Sequence, residues 1–375
     1  MKNRLNLLLN LVIILVISMA SAFYISTKIY NQYWQKMMTD ISELLGNDRF
    51  NFVVDENGSI TKKMTGDLAK INSSSQNLNN QVWLLAKRNT IKSDSILDKI
   101  YFDENFIGTV VVFTNDGWFA TNEDLKLYKA KDLVLINYKN EIVDIEKIVN
   151  DQYLGIYYIK VAKTGLEPVA IIDSVSLNVG ENVYAIRPNL YSYQNEILEN
   201  SIKNMYSRFI ENKLDLVHKP NDIVIYGALN VDLDENLPIF NKDAQFVGFS
   251  IKNGEKTYLL PSKYIKYSLT NLFNNDNIIN YPSLGISYID LSEVVTGSGE
   301  NIGAYVYEVP KNSIFKKGDI ITYIENDQIN QVKSLNTVLL DYKIGQEINV
   351  RFIRNGQEQK EKIVISDLAK LNSSK

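Results

Sequence analysis

The chain offers few side chains for nucleophilic or metal chemistry. Its 375 residues include a single histidine, His218, and no cysteine. Any mechanism with an imidazole base must therefore use His218, and cysteine nucleophiles, disulfides, Cys-ligated zinc and multi-histidine metal sites are excluded. His218 lies in the stretch LVHKP at 216–220, which we interpret as a surface loop.

Two further stretches have the wrong context for the chemistry they suggest. Asp232, Asp234 and Glu235 form an acidic cluster, but the glycine turn and distal bidentate glutamate of a calcium loop are out of register. Gly-Ser-Gly at 297–299 is not set between a strand and a helix, as a nucleophile elbow requires. With no P-loop or dinucleotide fingerprint either, we predict no metal site and no cofactor.

Composition limits the partners and the domain count. The formal net charge is −4 and no basic block occurs, so nothing is arranged to neutralise phosphates and we predict no nucleic-acid binding. Hydrophobic residues make up 45% of the chain, which suits a globular protein. The length accommodates two domains and an anchor.

An uncharged stretch at 5–27 follows Lys2 and Arg4. It is long enough to cross a hydrocarbon core of roughly 30 Å as a helix, and the preceding positive charges predict that its N-terminus is cytoplasmic. Residues 1–27 are therefore predicted to be a single-pass anchor in the cell membrane, with the later domains outside the cytoplasm. The alternative is a signal peptide cleaved after Ala22, since Ala-Ser-Ala at 20–22 resembles a cleavage site.

The remaining chain divides by its residue pattern. Residues 28–81 are predicted to be a helix, over 29–45, followed by a loosely ordered stalk rich in polar residues. Short β-rich runs then recur from 82, which predicts an antiparallel barrel or sandwich. The segment 191–216 fits a helix or a hairpin, an apolar helix is predicted near 264–273, and the polar run 274–277 is the predicted domain boundary.

The order of several strand and turn phrases carries a resemblance to a known family. The phrases are TNDGWFATN at 114–122, GIYYIKV at 155–161, DS and VGENVYAI at 173–186, PIFN and FVGFS at 238–250, and LPS at 260–262. In this order they resemble the HtrA/Deg family of trypsin-like proteases over 82–365. The resemblance implies a trypsin-like double β-barrel at 82–274, and homotrimers are usual in the family.

The same resemblance places the three positions of the catalytic triad. The histidine position falls on Asp124, or on Glu123 if the register slips by one, the aspartate position on Gly155, and the serine position on Glu235. An exposed carboxylate has a pKa near 4 and is a poor base for a serine hydroxyl unless burial raises that pKa strongly. Gly155 has no side chain that could orient a base.

The turn around the serine position also departs from the family pattern. Asn236 and Leu237 stand where the family has glycines, and non-glycine residues disfavour the backbone conformation of an oxyanion hole. We therefore predict a pseudoprotease without enzymatic activity and without catalytic residues. The alternative is an active envelope serine endopeptidase with a shifted catalytic site.

Residues 281–367 resemble a PDZ domain of the permuted bacterial kind, an α+β fold. Ser334 is predicted to cap a helix that ends at Gly345, and Asn355-Gly356 is a strong hairpin turn. The resemblance implies that an extended peptide adds as a strand beside the domain, with its carboxylate held by backbone amides. The implied peptide-binding residues are Ser283, Leu284, Gly285, Ile286, Tyr288, Val338 and Tyr342.

The chain is thus predicted to be a mostly β protein with a transmembrane helix, a trypsin-like double barrel and a PDZ domain. The predicted function is to bind peptides or protein C-termini outside the cytoplasm as an adaptor or scaffold. A third possibility is a structural envelope protein whose β domain assembles with itself or a partner. The physiological ligand, the oligomeric state and cleavage of the N-terminal segment do not follow from the sequence.

The topology can be tested directly. A reporter fused after Lys28 should be active only outside the cytoplasm, and the full chain should fractionate with membranes, because the uncharged segment can span a bilayer. Alkaline phosphatase and green fluorescent protein fusions provide opposite readouts. A soluble mature protein that begins at Phe23 would contradict the anchor and leave export intact.

Overall fold

The computed structural model describes residues 50–54, 60–64, 71, 75–90, 95–172, 177–189, 195–297, 302–330 and 332–372. The predicted anchor at 5–27 and the predicted helix at 29–45 lie outside these ranges. Within them, no helix has both the length and the apolar character needed to cross a membrane. The chain forms two compact units, Met1–Ser73 and Ser74–Lys375.

The region predicted to be a loosely ordered stalk contains regular structure. In the first unit, β1 (Phe50–Val54) pairs antiparallel with β2 (Ile60–Met64). The second unit begins with helix α1 (Ser75–Gln81). The prediction of a loose stalk is therefore wrong for these residues, since the β-favouring run FNFVV overrides the polar composition around it.

The first barrel forms the N-terminal half of the main domain. Its six strands close in the order β3-β4-β5-β8-β7-β6. Their bounds are β3 Val82–Lys87, β4 Phe106–Val112, β5 Trp118–Thr121, β6 Leu133–Ile136, β7 Ile142–Asp151 and β8 Ile156–Val161. Trp83 and Phe119 meet in its core with ring centroids 4.9 Å apart. The run PVAII at 168–172 contributes an isolated bridge from Ile171 to Phe246.

The second barrel closes in the order β10-β12-β15-β14-β13-β9. Its strands are β9 Asn182–Pro188, β10 Asn195–Ser207, β12 Tyr226–Leu229, β13 Pro238–Asn241, β14 Phe246–Asn253 and β15 Lys256–Pro261. Strand β11 (Val217–His218) follows β10 in the chain but joins another sheet. Short 3-10 turns lie at Ile96–Lys99, Asp103–Asn105, Ala130–Asp132, Lys213–Leu216 and Leu291–Glu293.

The ambiguous segment 191–216 is a strand over most of its described part, because it contains β10. The pairing of β10 with β12 shifts register between Ile202 and Asn204. Such a bulge interrupts the two-residue alternation of a strand. Leu198, Ile202 and Met205 therefore all pack into the same core, and their spacing of four and three residues imitates a helix.

Helix α2 (Ser262–Asn274) follows the second barrel, as predicted for the closing helix. Its buried face carries Tyr264, Ile265, Ser268, Leu269 and Leu272 among others. The helix ends in the predicted polar boundary, where Asp276 and Asn277 adopt left-handed backbone conformations with φ of 49° and 66°. Asparagine and aspartate tolerate this region better than most residues, which explains the polar run.

The C-terminal domain contains a sheet in the order β11-β17-β18-β19-β21-β22, with β20 on β19, and a separate pair β16-β23. The strands are β16 Pro282–Ser283, β17 Ser287–Asp290, β18 Ala304–Glu308, β19 Ile320–Ile324, β20 Asp327–Gln328, β21 Glu347–Arg354, β22 Gln357–Val364 and β23 Ser366–Asp367. Helices α3 (Leu335–Leu339) and α4 (Leu368–Asn372) complete it. The Asn355-Gly356 turn is confirmed, since both residues have positive φ as a type I′ hairpin requires.

Helix α3 differs from its prediction. It spans five residues, and the hydroxyl of Ser334 donates to the Thr337 hydroxyl at 3.0 Å instead of capping a backbone amide. Tyr342 lies beyond the helix, since its amide closes a tighter turn on the carbonyl of Leu339. Ser334 is thus the N-cap residue, as predicted, but its side chain makes no capping bond, and Val338 and Leu339 are buried as expected.

Candidate functional site

The end of β5 brings the first barrel against the second. The Asn122 side-chain amide donates to the Ser250 carbonyl of β14 at 2.9 Å. The next residue, Glu123, accepts a hydrogen bond from the Asn236 side chain at 2.8 Å. Glu123 rather than Asp124 therefore reaches the turn that carries Glu235.

Asp124 occupies a different environment. Its carboxylate is exposed and accepts hydrogen bonds from the Tyr157 hydroxyl at 3.0 Å and the Lys126 amide at 3.1 Å. The bond from the Lys126 amide, followed by that from Tyr157, lowers the pKa of Asp124. Asp124 is thus a well-solvated anion with little basicity near neutral pH.

Gly155 lies in the turn between β7 and β8. Its φ is 68° and the space where a side chain would project is open within 4 Å. The carboxylate of this turn is Asp151, which sequence reasoning missed. Asp151 is 1% exposed and accepts from the amides of Tyr153 and Leu154.

Asp151 also accepts from the Ser268 hydroxyl at 2.5 Å and the Tyr281 hydroxyl at 2.6 Å. These partners belong to α2 and to the start of the C-terminal domain. Burial raises the pKa of Asp151, and the hydrogen bonds from Ser268 and Tyr281 oppose that rise. The available sequence signal was an aspartate followed by a glycine turn, which is common at strand ends.

The turn containing Glu235 is held by a buried serine on β14. The Ser250 hydroxyl is fully buried, donates to the Asp234 carbonyl at 2.9 Å and accepts from the Leu237 amide at 2.8 Å. Asn236 takes the left-handed conformation with φ of 66°, which asparagine tolerates better than most residues. Its amide donates to the Ser250 carbonyl at 2.9 Å, so the turn is closed on β14.

The acidic residues near this turn are not arranged as a cation site. Asp234 pairs with Arg187, which also pairs with Glu196 at 3.0 Å. Across the described ranges, no group of three or more His, Cys, Asp or Glu side chains could hold a metal ion.

Glu123 has the most unusual electrostatics of these residues. Burial raises the pKa of its carboxyl to about 7, the hydrogen bond from Asn236 opposes this rise, and the charge of Glu235 adds to it. The carboxylate packs directly on Gly108, since a Cβ there would stand 1.8 Å from Glu123 Oε1. A group that titrates near pH 7 has the basicity suited to general-base catalysis at neutral pH.

The predicted carboxylate-binding loop adopts a left-handed turn at Gly285. Its φ is 70°, and its amide donates to the Ser283 hydroxyl at 3.0 Å. The side chain of Leu371 from α4 lies against Gly285, 3.2 Å from where a Cβ would stand. Glycine is needed here both for the backbone conformation and for this contact.

The other predicted peptide-binding residues divide between core and rim. Ile286, Tyr288 and Val338 are buried in the core of the C-terminal domain, while Leu284 and Tyr342 pack partly buried against it. The first three therefore belong to the domain core, with Tyr288 on β17 and Val338 on α3. The two rim residues stay partly accessible to a ligand, and all these roles stay predictions.

His218 is not a surface-loop residue, so that interpretation is wrong. It is 2% exposed, and it pairs with Tyr288 of the groove strand through β11. Its ring stacks on the Tyr288 ring with centroids 4.6 Å apart and an interplanar angle of 3°. Sequence gave no sign of this placement because the pairing joins residues 70 positions apart, at 218 and 288.

Two closed six-stranded barrels in tandem, followed by this α+β domain, define a trypsin-like protein with an appended peptide-recognition module. The family description "PDZ domain" matches residues 282–365. In structure, the chain resembles "HtrA-type protease AlgW with decapeptide" with a TM-score of 0.57 and 12% identity, over 81% of this chain and 99% of that one. At this identity the likeness shows the fold.

The sequence relatives extend the match. "Serine protease Do-like HtrA" of Bacillus subtilis (strain 168) is 24% identical over 286 residues, covering 69% of this chain and 63% of the relative. The protein of the same name from Lactococcus lactis subsp. cremoris (strain MG1363) is 22% identical over 246 residues, covering 58% and 59%. The chain thus spans about three fifths of these relatives, and it is similar to HtrA-type serine proteases and has a region that matches a PDZ domain.

These relatives correct the prediction that the chain is not an enzyme. They are named serine proteases and point to a protease. The prediction was wrong because it inferred lost activity from side-chain types at three aligned positions. It also gave the carboxylate at the histidine position an ordinary pKa near 4, whereas partial burial raises the pKa of Glu123 to about 7.

Burial of Glu123 predicts a specific pH dependence of stability. The pKa of Glu123 rises from 4.5 to about 7 on folding, so its contribution to stability is full below pH 4.5 and declines as pH rises to about 7. Glu123→Gln should abolish this part of the decrease in the free energy of unfolding, which amounts to roughly 1–3 kcal/mol. Urea denaturation at pH 4.5, 6 and 7.5 measures the difference between variant and wild type.

The matched control is Glu146→Gln on the exposed face of β7. This change in the same barrel should leave the pH dependence as in the wild type. Equal pH profiles for wild type and Glu123→Gln would show that Glu123 is not buried in the folded protein.

Proposed function

We propose that this chain is an extracytoplasmic HtrA-type protein, tethered to the membrane by residues 1–27, that captures peptides or protein C-termini with its PDZ domain. In this role it acts as an adaptor or scaffold that brings bound chains to the barrel domain. The observation that carries the proposal is the PDZ match over 282–365, together with the glycine loop and groove strand found there. A homotrimer, usual in the family, is part of the prediction.

The groove offers what strand addition requires. β17 pairs with β18 on one side and with the two residues of β11 on the other, so an added strand would use the main-chain donors and acceptors of the β11 edge. The loop at Gly285 lies at the start of this edge, where backbone amides would hold a terminal carboxylate. The partly buried apolar residue Leu284 favours a ligand that ends in an apolar side chain.

The relatives support the same assignment. The solved structure most pertinent to ligand type is described as an HtrA-type protease with a decapeptide, so peptides are the first class of ligand to test here. The contact of the first barrel with α2 and the C-terminal domain supports the proposed presentation of bound peptides. Asp151 of the first barrel accepts hydrogen bonds from Ser268 of α2 and from Tyr281 of the C-terminal domain.

Peptide binding should depend on the C-terminal carboxylate. A fluorescent decapeptide with a free C-terminal carboxylate should bind at least about tenfold more tightly than its amide, since the amide loses a charge-assisted contact worth about 1.5–3 kcal/mol. Fluorescence anisotropy across a library ending in Leu, Val or Phe measures the ratio. Equal affinity of both forms would contradict recognition of C-termini.

A second candidate function is endopeptidase activity at the barrel interface. The names of the relatives favour it, as does the Glu123 carboxyl, which titrates near neutral pH beside Asn236. Ionised Glu123 would accept a proton from the attacking nucleophile. This is the shifted-site form of the enzyme, with the base one position before Asp124.

The rate of peptide hydrolysis should then follow the ionisation of Glu123. The rate should rise with pH through about 7, and Glu123→Gln should lower kcat/KM about 10²- to 10⁴-fold, with Glu146→Gln as control. Cleavage of an unfolded, fluorescently quenched protein substrate provides the assay. Labelling by a fluorophosphonate would identify an activated serine, and turnover unaffected by Glu123→Gln would exclude this carboxyl as the base.

A further inference from the structure

The edge of the groove strand already carries a strand of the same chain. Val217 pairs with Ile289 and His218 with Tyr288, both antiparallel. In the sheet order β11-β17-β18, β11 occupies the edge of β17 that faces away from β18. An incoming peptide would form its main-chain hydrogen bonds along this edge.

β11 also runs in the direction expected of a ligand. Because the pairing is antiparallel and His218 lies opposite Tyr288, the chain advances toward Ser287 and the Gly285 loop. A peptide whose C-terminal carboxylate sits at that loop has the same direction. The segment therefore imitates a bound C-terminus over its last paired residues.

The segment turns away before it reaches the loop. The Asp222 amide donates to the Lys219 carbonyl at 3.0 Å, and the Lys219 amide donates to the Asp222 carboxylate at 2.9 Å. Pro220, inside this turn, has no amide hydrogen and cannot extend the ladder. The internal strand thus leaves the carboxylate-binding loop to an external ligand.

Both walls of the groove hold the segment in place. On the strand side, His218 stacks on Tyr288 and places Nε2 3.4 Å from the Glu293 carboxylate. On the helix side, the Asn336 side chain of α3 donates to the Asp222 carbonyl at 2.7 Å. The segment spans the groove as a peptide lying between β17 and α3 would.

The occupied edge is nevertheless open at one end. A cavity of about 660 Å³ borders the turn, and its lining includes Lys219, Asn221 and Ser287. One end of a peptide can therefore approach Ser287 while β11 is still paired with β17. Only two residues of β11 form the ladder, so few hydrogen bonds hold it against a longer strand.

We propose that residues 217–222 are an internal pseudo-ligand of the PDZ groove, and that a C-terminal peptide binds by displacing β11 from β17. The inference rests on the proposed peptide-binding function and adds its regulation. The apparent affinity for peptide equals the intrinsic affinity reduced by the fraction of molecules whose groove is free. Loss of β11 contacts must then increase affinity without any change in the groove itself.

A reversible crosslink tests the displacement. The chain has no cysteine, so Val217→Cys with Ile289→Cys introduces one possible disulfide, between residues directly opposite each other. In the full chain, the oxidised form should bind a fluorescent free-acid decapeptide at least about tenfold more weakly than the reduced form of the same variant. Equal binding by both forms overturns the proposal, as does failure of the two thiols to crosslink under oxidation.

The converse variant is His218→Ala, which removes the stacking on Tyr288 and the contact with Glu293. It should raise peptide affinity by about fivefold or more, and His218→Tyr, which retains an aromatic ring, should stay close to wild type. Unchanged affinity in His218→Ala contradicts the proposal. If no free-acid peptide binds any form, reduced variants included, the proposed peptide-binding function itself fails, which separates the two outcomes.

Discussion

A buried carboxylate, Asp151, connects three parts of the main unit: the first barrel, helix α2 and the C-terminal domain. It closes the β7–β8 turn by accepting hydrogen bonds from two backbone amides. It also accepts hydrogen bonds from the hydroxyls of Ser268 on α2 and of Tyr281 at the start of the PDZ domain. Burying a carboxylate is costly unless donors surround it, and its raised pKa shows that burial outweighs these donors. The first barrel, the closing helix and the PDZ domain therefore depend on one set of hydrogen bonds.

Burial also explains why the pKa of the Glu123 carboxyl is raised. Two barrels meet where Asn122 and Glu123 bond to the β14 region and its neighbouring turn, and this junction removes water from the carboxylate. Gly108 permits the close approach, because any side chain there would collide with Glu123. The chemistry available at the interface is therefore set by how the barrels pack, and residue types at aligned positions were a poor guide to it.

Patterns confined to one element were predictable from sequence, whereas effects of tertiary pairing were not. Helix α2 and the Asn355-Gly356 turn have local causes, in apolar spacing and in positive φ. The sequence of β10 was compatible with a helix because a bulge allows Leu198, Ile202 and Met205, which have helical spacing, to pack into one core. The pKa of Glu123 and the burial of His218 depend on residues far away in the chain, which no local pattern encodes.

The position of His218 shows how one connection can serve two domains. The segment between β10 and β12 must return the chain to the second barrel, and its amide and carbonyl groups need partners. By pairing with β17 it satisfies them and also covers the PDZ edge, which would otherwise be open to other strands. Pro220 limits the pairing, so the coverage is short. In the proposed regulation, this brief internal strand covers the edge until a ligand that also supplies a terminal carboxylate displaces it.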